Sequence, residues 1–391
     1  MTDPLGQSQV IPYLKGLSLE GYKITLVSFE KNSRLGFQDA IARDLEAAGI
    51  EWAPMLYTDR PPILSTLLDL NKMHRKVNEL HLLRKFKLVH CRSYIASFVG
   101  LHLNKKYGVP FLFDMRGFYP DERVDGNIWN LRNPVYNLIY RYFKKKEKAF
   151  LNNADHIVSL TENGKRVMQE EWQIQTPISV IPCCADTDLF QPSQDKEAIK
   201  KELGFKESDF ILSYLGSIGT WYMLSEMLDF FKILLIHKPH AKFFFITPDN
   251  PKVILKEVDD RKIPRETIVI KSATRIEVPK CATISDYSIF FIKPVFSKKA
   301  SSPTKQGELM SLGVPVICNS GVGDTDLIIE KYGAGFLIDL DQRVDIENVI
   351  KKLSTKFDRK MLRHGAMEYF GLKKGVESYF EIYSQLCKTH H

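Results

Sequence analysis

Short apolar runs alternate with longer amphipathic stretches along nearly the whole chain, and this alternation constrains the fold more than any single motif. Strand-length runs separated by helical segments build βαβ units, whose strands lie parallel because each helix carries the chain back across the sheet. In the first half the pattern predicts helices over 10–20, 38–48, 64–83, 95–107 and 135–152. Strands are expected over 23–29, 51–56, 88–90, 110–114, 154–160 and 178–181. After "IPCCADTDLFQPSQ" a second series begins: helix 196–203, strand 210–215, the turn "GSIGTW", helix 223–238, strands 242–246, 267–271 and 288–292, helix 305–311 and strand 315–319. The expected class is α/β with two similar halves, and the Pro/Asp/Ser stretch over 191–195 is the natural boundary. At 391 residues the chain exceeds what one core usually sustains, which agrees with two domains of roughly 150–200 residues.

One element is missing from this pattern. A parallel sheet of this kind places its first strand near the centre, with a Gly-containing turn leading into the first helix. Here "MTDPLGQSQV" supplies the turn, with Gly6 in it as a donor-binding candidate, and the helix start, but no strand precedes them. The expectation is that Met1 is an internal methionine of a longer reading frame; the alternative is a domain that lacks the strand.

Hydrophobic residues at 44% mark an ordered globular protein, and a formal charge of +8 suits one that meets anions. No nucleic-acid-binding module accompanies the charge, so nucleic acid is not an expected partner. The six cysteines, 91, 183, 184, 281, 318 and 387, lack zinc-type spacing and read as reduced thiols. No apolar run reaches the roughly 18 residues of a membrane helix, and the expected location is cytoplasmic. "RYFKKKEKAF", 141–150, sets basic residues beside aromatics on a helix. It is either a solvated face or a site of peripheral contact with the anionic inner face of the cytoplasmic membrane.

Open α/β sheets bind ligands beyond the carboxyl ends of their strands. The polar, aromatic and glycine residues fall there: "HCRSY" with His90 and Arg92, "DMRGFYPDE" with Asp114, Arg116, Asp121 and Glu122, "GSIGTW" with Gly216, Ser217 and Gly219, and "KPVFSKKASSPTKQGE". The last opens on Lys293, a further donor-binding candidate, and places Ser301, Ser302, Thr304 and Lys305 at the start of a helix, where free N–H groups, hydroxyls and a lysine suit a phosphate. Glu308 lies one helical turn on, where its carboxylate can accept from ribose hydroxyls. The competing reading is an ordinary capped helix, with Ser302 or Thr304 as N-cap. "DTD" occurs at 186–188 and 324–326 and is read as capping rather than a metal motif, so no metal is expected.

"SSPTKQGELMSLGVPVICNSGVGD" resembles the donor-site motif of the retaining family 4 glycosyltransferases. "VIPCCADTDLF" is similar to their interdomain signature, and "SYLGSIGTWYMLSEML" to the first strand and turn of their C-terminal domain. "YFGLKKGVESYFEIYSQL" is similar to the helix that crosses back to their N-terminal domain. The resemblance implies the GT-B architecture: two Rossmann-like domains facing a cleft, over 1–188 (acceptor) and 189–373 (donor), with 374–391 packing back on the first. It implies a nucleoside-diphosphate sugar as co-substrate, no cofactor, and Glu308 on the donor ribose. Gly216 and Gly219 would admit the diphosphate, and Ser301, Ser302, Thr304 and Lys305 would line phosphate and sugar. Retaining transfer in this family runs on one face of the sugar, with donor phosphate taking the acceptor proton.

Two departures stand out. The first glutamate of the family pair falls at Ala300, and the turn after the first C-domain strand lacks the usual Arg and Lys. Lys305, Lys293, Lys298 and Lys299 are the available replacements, Lys305 foremost as leaving-group stabiliser. Arg116 lies where many relatives carry a catalytic His, so Arg116, Lys305 and Glu308 are the catalytic candidates. His90, Arg92, Asp114, Asp121 and Glu122 are acceptor-side. The function expected is sugar transfer to a surface-glycan or lipid-linked acceptor. The alternatives are a nucleotide-sugar 2-epimerase and a non-catalytic nucleotide-sugar-binding protein.

Overall fold

The computed structural model describes residues 1–61, 64–193, 195–340 and 342–388. Residue 194 of the expected boundary stretch and 389–391 of the expected returning segment lie outside the described residues. The chain forms two compact units, one of Met1–Pro120, Trp129–Pro182 and Leu372–His391, the other of Asp121–Ile128 and Cys183–Gly371.

The first unit contains α1 (Pro4–Gln9), α2 (Ile11–Leu19), β1 (Ile24–Glu30), α3 (Gln38–Ala47), β2 (Ile50–Leu56), α4 (Leu64–Arg84), β3 (Val89–Arg92), α5 (Ser93–Tyr107) and β4 (Phe111–Asp114). Next come α6 (Tyr119–Asp125), most of which belongs to the second unit, then α7 (Pro134–Asn153), β5 (His156–Ser159), α8 (Glu162–Arg166) and β6 (Ile178–Val180). Its strands are all parallel but make two sheets, β1-β2 and β3-β4-β5-β6. Among the described residues no strand joins β1 to β3. The stretch expected to hold a turn around Gly6 is instead helical. Pro4 occupies the opening of α1, where its missing N–H costs nothing, and Gly6 is buried within it.

The second unit contains α9 (Lys196–Glu202), β7 (Phe210–Leu215), α10 (Leu224–His237), β8 (Ala241–Ile246), α11 (Pro251–Asp260), β9 (Ile268–Lys271), α12 (Val278–Ala282), β10 (Tyr287–Phe290), α13 (Thr304–Ser311), β11 (Val316–Asn319), α14 (Thr325–Tyr332), β12 (Gly335–Ile338), α15 (Arg343–Lys351) and α16 (Arg359–Gly365). One parallel sheet runs β12-β11-β10-β7-β8-β9. Helices cover both faces, so β7 and β8 read as near-continuous apolar runs, "FILSYL" and "AKFFFI", and are almost wholly buried. The order reverses between β7 and β10, which makes the carboxyl ends of these two strands the place where a crevice opens.

The units differ from the expected 1–188 and 189–373 for identifiable reasons. Residues 183–190 are tied to the second unit: Ala185 N–H donates to Phe370 O at 2.7 Å, and Arg363 donates to the carbonyls of Thr187 and Phe190. Residues 121–128 join it through Lys298 Nζ to Glu122 at 2.8 Å and Ser297 N–H to Asp125 at 2.9 Å. The last helix, α17 (Leu372–Lys388), packs on α2 in the first unit, with Tyr379 edge-on to Tyr13.

Candidate active site

In the second unit the chain leaves β7 through a turn that only glycine enters easily. Gly216 has φ +100°, and Gly219 also has positive φ. Tyr214 Oη donates to Ser217 O at 2.7 Å, and Ile218 N–H donates to Asp249 at 2.6 Å, so the turn is braced from β7 and from the loop after β8. A methyl group placed on Gly216 would lie 3.4 Å from Lys305 Nζ. The Lys305 head therefore sits directly against the turn.

Helix α13 brings Lys305 there. It begins after Pro303, and no side chain caps it; Ser302 Oγ instead accepts the Cys183 N–H at 3.2 Å. This corrects the reading of Ser302 or Thr304 as N-cap and leaves the first-turn N–H groups without a side-chain acceptor. Lys305 is 8% exposed, with Nζ 3.6 Å from the centroid of the Tyr222 ring and 4.1 Å from that of Tyr214. Nζ has no hydrogen-bond partner. Burial pushes its pKa well below the ordinary lysine range, against the pull of Glu308 and Asp249.

Glu308, one turn along α13, is 6% exposed and ion-paired with Arg275, whose guanidinium lies 4.9 Å over the Phe190 ring. Burial raises the Glu308 pKa, and Arg275 and then Lys305 oppose it. Gln306 between them is fully buried with neither amide atom partnered. Ser301 lies in the partly exposed loop ahead of α13 and Thr304 opens the helix, while Ala300 is buried in a 3-10 segment, Phe296–Ala300. The structure thus sets Lys305 against the Gly216 turn at the switch point, with Glu308 one turn further along α13.

The other lysines are placed differently from Lys305. Lys298 is buried, bonded to Glu122 and 3.7 Å over the Trp221 ring, and burial lowers its pKa against the Glu122 charge. Lys293 and Lys299 are exposed. Asp121 and Glu122, expected beside Asp114 on an acceptor side, belong to the second unit because Glu122 holds Lys298.

In the first unit Asp114, at the end of β4, collects the expected neighbours. Arg92 lies 3.5 Å from it, Arg116 3.7 Å and His90 Nε2 3.5 Å. Tyr379 of α17 donates to it at 3.1 Å, and His90 Nδ1 is 2.9 Å from Tyr383 Oη. Burial raises the Asp114 pKa, but Arg116, His90 and Arg92 outweigh it and hold the carboxyl well below its usual range. Arg116 adopts φ +60°, an uncommon conformation for a residue with a side chain. The cluster sets two guanidiniums against one carboxylate.

The Asp-Thr-Asp stretches do not act as the expected helix caps, for no side chain caps α14 and Asp186 closes a turn. Asp186 accepts the N–H groups of Asp188 and Leu189, closing a turn where a short helix was expected. Asp324 precedes α14 and accepts from Tyr369 Oη. Arg275, Tyr214, Tyr222, Asp249 and Phe190 were not singled out from the sequence. The loops after β8 and β9, "TPDN" and "SATRIE", follow the same carboxyl-end rule and would have pointed to Asp249 and Arg275.

Residues 9–189 match the family description Glycosyltransferase Family 4, and residues 195–364 match Glycosyl transferases group 1. No curated protein sequence matches the chain. Among solved structures the chain is similar to sucrose-phosphate synthase of Thermosynechococcus elongatus, at 16% identity over 94% of this chain and 99% of that one, TM-score 0.69. It is similar to the Anabaena protein HepE in complex with UDP and glucose, at 13% identity over 96% of each chain, TM-score 0.66. It also resembles WaaG, a glycosyltransferase involved in lipopolysaccharide biosynthesis, at 16% identity over 91% of this chain and 99% of that one, TM-score 0.57.

Proposed function

Since the chain belongs to the group 1, family 4 glycosyltransferases of GT-B fold, we propose that it is a retaining enzyme moving a sugar from a nucleoside diphosphate to a surface-glycan or lipid-linked acceptor. The observation that carries this reading is Lys305: a buried amine without an acceptor, against a glycine turn at the switch point, one helical turn from a buried glutamate. Diphosphate oxygens supply the acceptors that Lys305 and the first turn of α13 lack. Glu308 takes the ribose hydroxyls, and Arg275 orients its carboxylate. In transfer, the bond from the anomeric carbon to the diphosphate breaks and the acceptor hydroxyl bonds to the same face of the sugar. Its proton passes to the departing phosphate oxygen, whose charge Lys305 stabilises. Arg92 and Arg116, beside Asp114 and His90, form the acceptor-side group. WaaG's place in lipopolysaccharide biosynthesis supports the surface-glycan class.

UDP leads the candidate nucleotides because HepE holds it. Thermal shift with UDP, GDP, ADP, CDP and TDP is expected to show one clear stabilisation, since ligand at 100 times Kd adds about 2.7 kcal/mol. The matching nucleotide sugar with acceptor extract should then give a product of unchanged anomeric configuration by NMR. No shift with any nucleotide would overturn the donor-site reading. Tight binding without transfer would favour a binding protein, and turnover without acceptor an epimerase.

Among the described residues no helix is long and apolar enough to cross a membrane. Peripheral contact is proposed through α7, which exposes Val135, Leu138 and Tyr142 alongside Arg141, Lys145 and Lys148. Lys144 is not part of this face, because it pairs with Glu147 and lies over Trp172. Each surface charge is worth about 1 kcal/mol near an anionic leaflet. Replacing Arg141, Lys145 and Lys148 by Ser should therefore abolish co-sedimentation with phosphatidylserine vesicles; no sedimentation of the unaltered protein would remove the contact.

A further inference from the structure

We infer that donor binding is coupled to uptake of one proton, taken by Lys305 as the diphosphate enters, so that affinity rises as the pH falls. The inference rests on the donor-site reading above and concerns what distinguishes this chain, a single buried lysine serving the diphosphate. Its physical basis is a buried amine without an oxygen to bond. Tyr214 of β7 and Tyr222 of the following loop present ring faces to Nζ at 4.1 and 3.6 Å, and the backbone of Gly216 closes another side.

The charged groups around Lys305 are already engaged. Glu308 of α13 is paired with Arg275 from the loop after β9, and Asp249 from the loop after β8 accepts the Ile218 N–H. The two tyrosines stay neutral: burial pushes Tyr222 up to about 12 and Tyr214 further still. Ring faces favour a cation, yet three ammonium N–H groups without acceptors in a closed site cost more than two such faces return. The two carboxylates reduce that cost without removing it, and the direction of the Lys305 pKa agrees.

A diphosphate changes the balance on both counts. It brings oxygens within reach of Nζ and negative charge that no protein cation nearby fully neutralises, so the ammonium becomes the favoured form. The complex then holds more protons than the free protein. Binding weakens with rising pH in the interval between the Lys305 pKa of the free protein, below the ordinary value of about 10.4, and its restored value in the complex. Below that interval Lys305 is charged in both states and affinity is flat. Within it, affinity falls about tenfold per pH unit.

The test is isothermal calorimetry of the full chain with UDP-glucose, GDP-mannose and ADP-glucose, whose diphosphates do not titrate near neutrality. Titrations run in Tris, HEPES and phosphate-free tricine buffers, from about pH 6.5 to 9.5. Observed heat plotted against buffer ionisation enthalpy should give a slope near one proton per bound donor within the interval. Lys305→Arg, which keeps its charge, should bind with zero slope, and Lys305→Met should lose both affinity and slope. Binding of the unaltered protein with zero slope throughout overturns the proton coupling and leaves the donor site standing. A slope that survives in Lys305→Arg assigns the proton elsewhere and overturns the inference equally. No heat with any donor overturns the donor-site reading and this inference together.

Discussion

Glu308→Ala is expected to weaken nucleoside diphosphate binding by roughly ten- to 150-fold while leaving the protein folded. A hydrogen bond from a ribose hydroxyl to a carboxylate is worth about 1.5–3 kcal/mol, and this one would form inside a site where the carboxylate is almost fully buried. Losing the ion pair does not unfold the unit, because the Arg275 side chain is 40% exposed and is taken up by water. Lys305 loses a favourable neighbour, so its pKa should fall further and the alanine variant should bind donor even more weakly at alkaline pH. Calorimetry checks the affinity and a thermal melt checks the fold. Unchanged affinity for the nucleotide that stabilises the unaltered protein would take Glu308 out of the site. Glu308→Gln should lie between, since it keeps an oxygen acceptor and gives up the charge that Arg275 holds.

The parts of this arrangement that local pattern can carry were legible in the sequence. Strands such as β7 and β8 are buried on both faces, so each is a near-continuous apolar run whose ends agree with the expected 210–215 and 242–246 to within a residue. Lys305 and Glu308 share one helix, and their spacing alone places them a turn apart. The short edge strand β12, "GFLI", and the helices α11 and α14, whose apolar residues recur at helical spacing, were within reach of the same patterns. Contacts that depend on chain crossings were invisible. Arg275 reaches Glu308 across 33 residues, and Tyr379 reaches Asp114 across 265. Tyr214 and Tyr222 look like core residues in any window, and only the fold turns their faces toward a lysine. Ser302 misled for a related reason: its hydroxyl suits a helix cap, but Cys183, 119 residues away, supplies the N–H it accepts.

Gly307→Ala tests whether the placement of α13, rather than its side chains alone, makes the site. Alanine is the better helix former by about 1 kcal/mol, so helix propensity predicts a more stable protein. The packing predicts the reverse. Gly307 lies between Lys305 and Glu308 on the face where α13 meets the segment just after α16, and a methyl there would lie 2.6 Å from Phe370 Cγ and 2.7 Å from its Cβ. Those atoms are the root of the side chain, so a change of rotamer cannot clear them without moving the backbone that accepts the Ala185 N–H. The cheaper relief is for α13 to shift outward, at about 1–3 kcal/mol for overpacking a dense core. Lys305 would then leave the Gly216 turn and Glu308 would leave Arg275, two losses from a substitution that alters neither residue. The expected result is a lowered Tm together with nucleotide affinity reduced at least tenfold, as near the loss from Glu308→Ala as one such hydrogen bond allows. Adding Phe370→Gly removes both obstructing atoms, Cβ and Cγ, and should restore much of the affinity even though its cavity keeps Tm low. Affinity unaffected by Gly307→Ala would mean that α13 tolerates displacement and that the site is held from the turn side. Recovery of affinity without recovery of Tm in the double variant would separate the position of the helix from the stability of the unit that carries it.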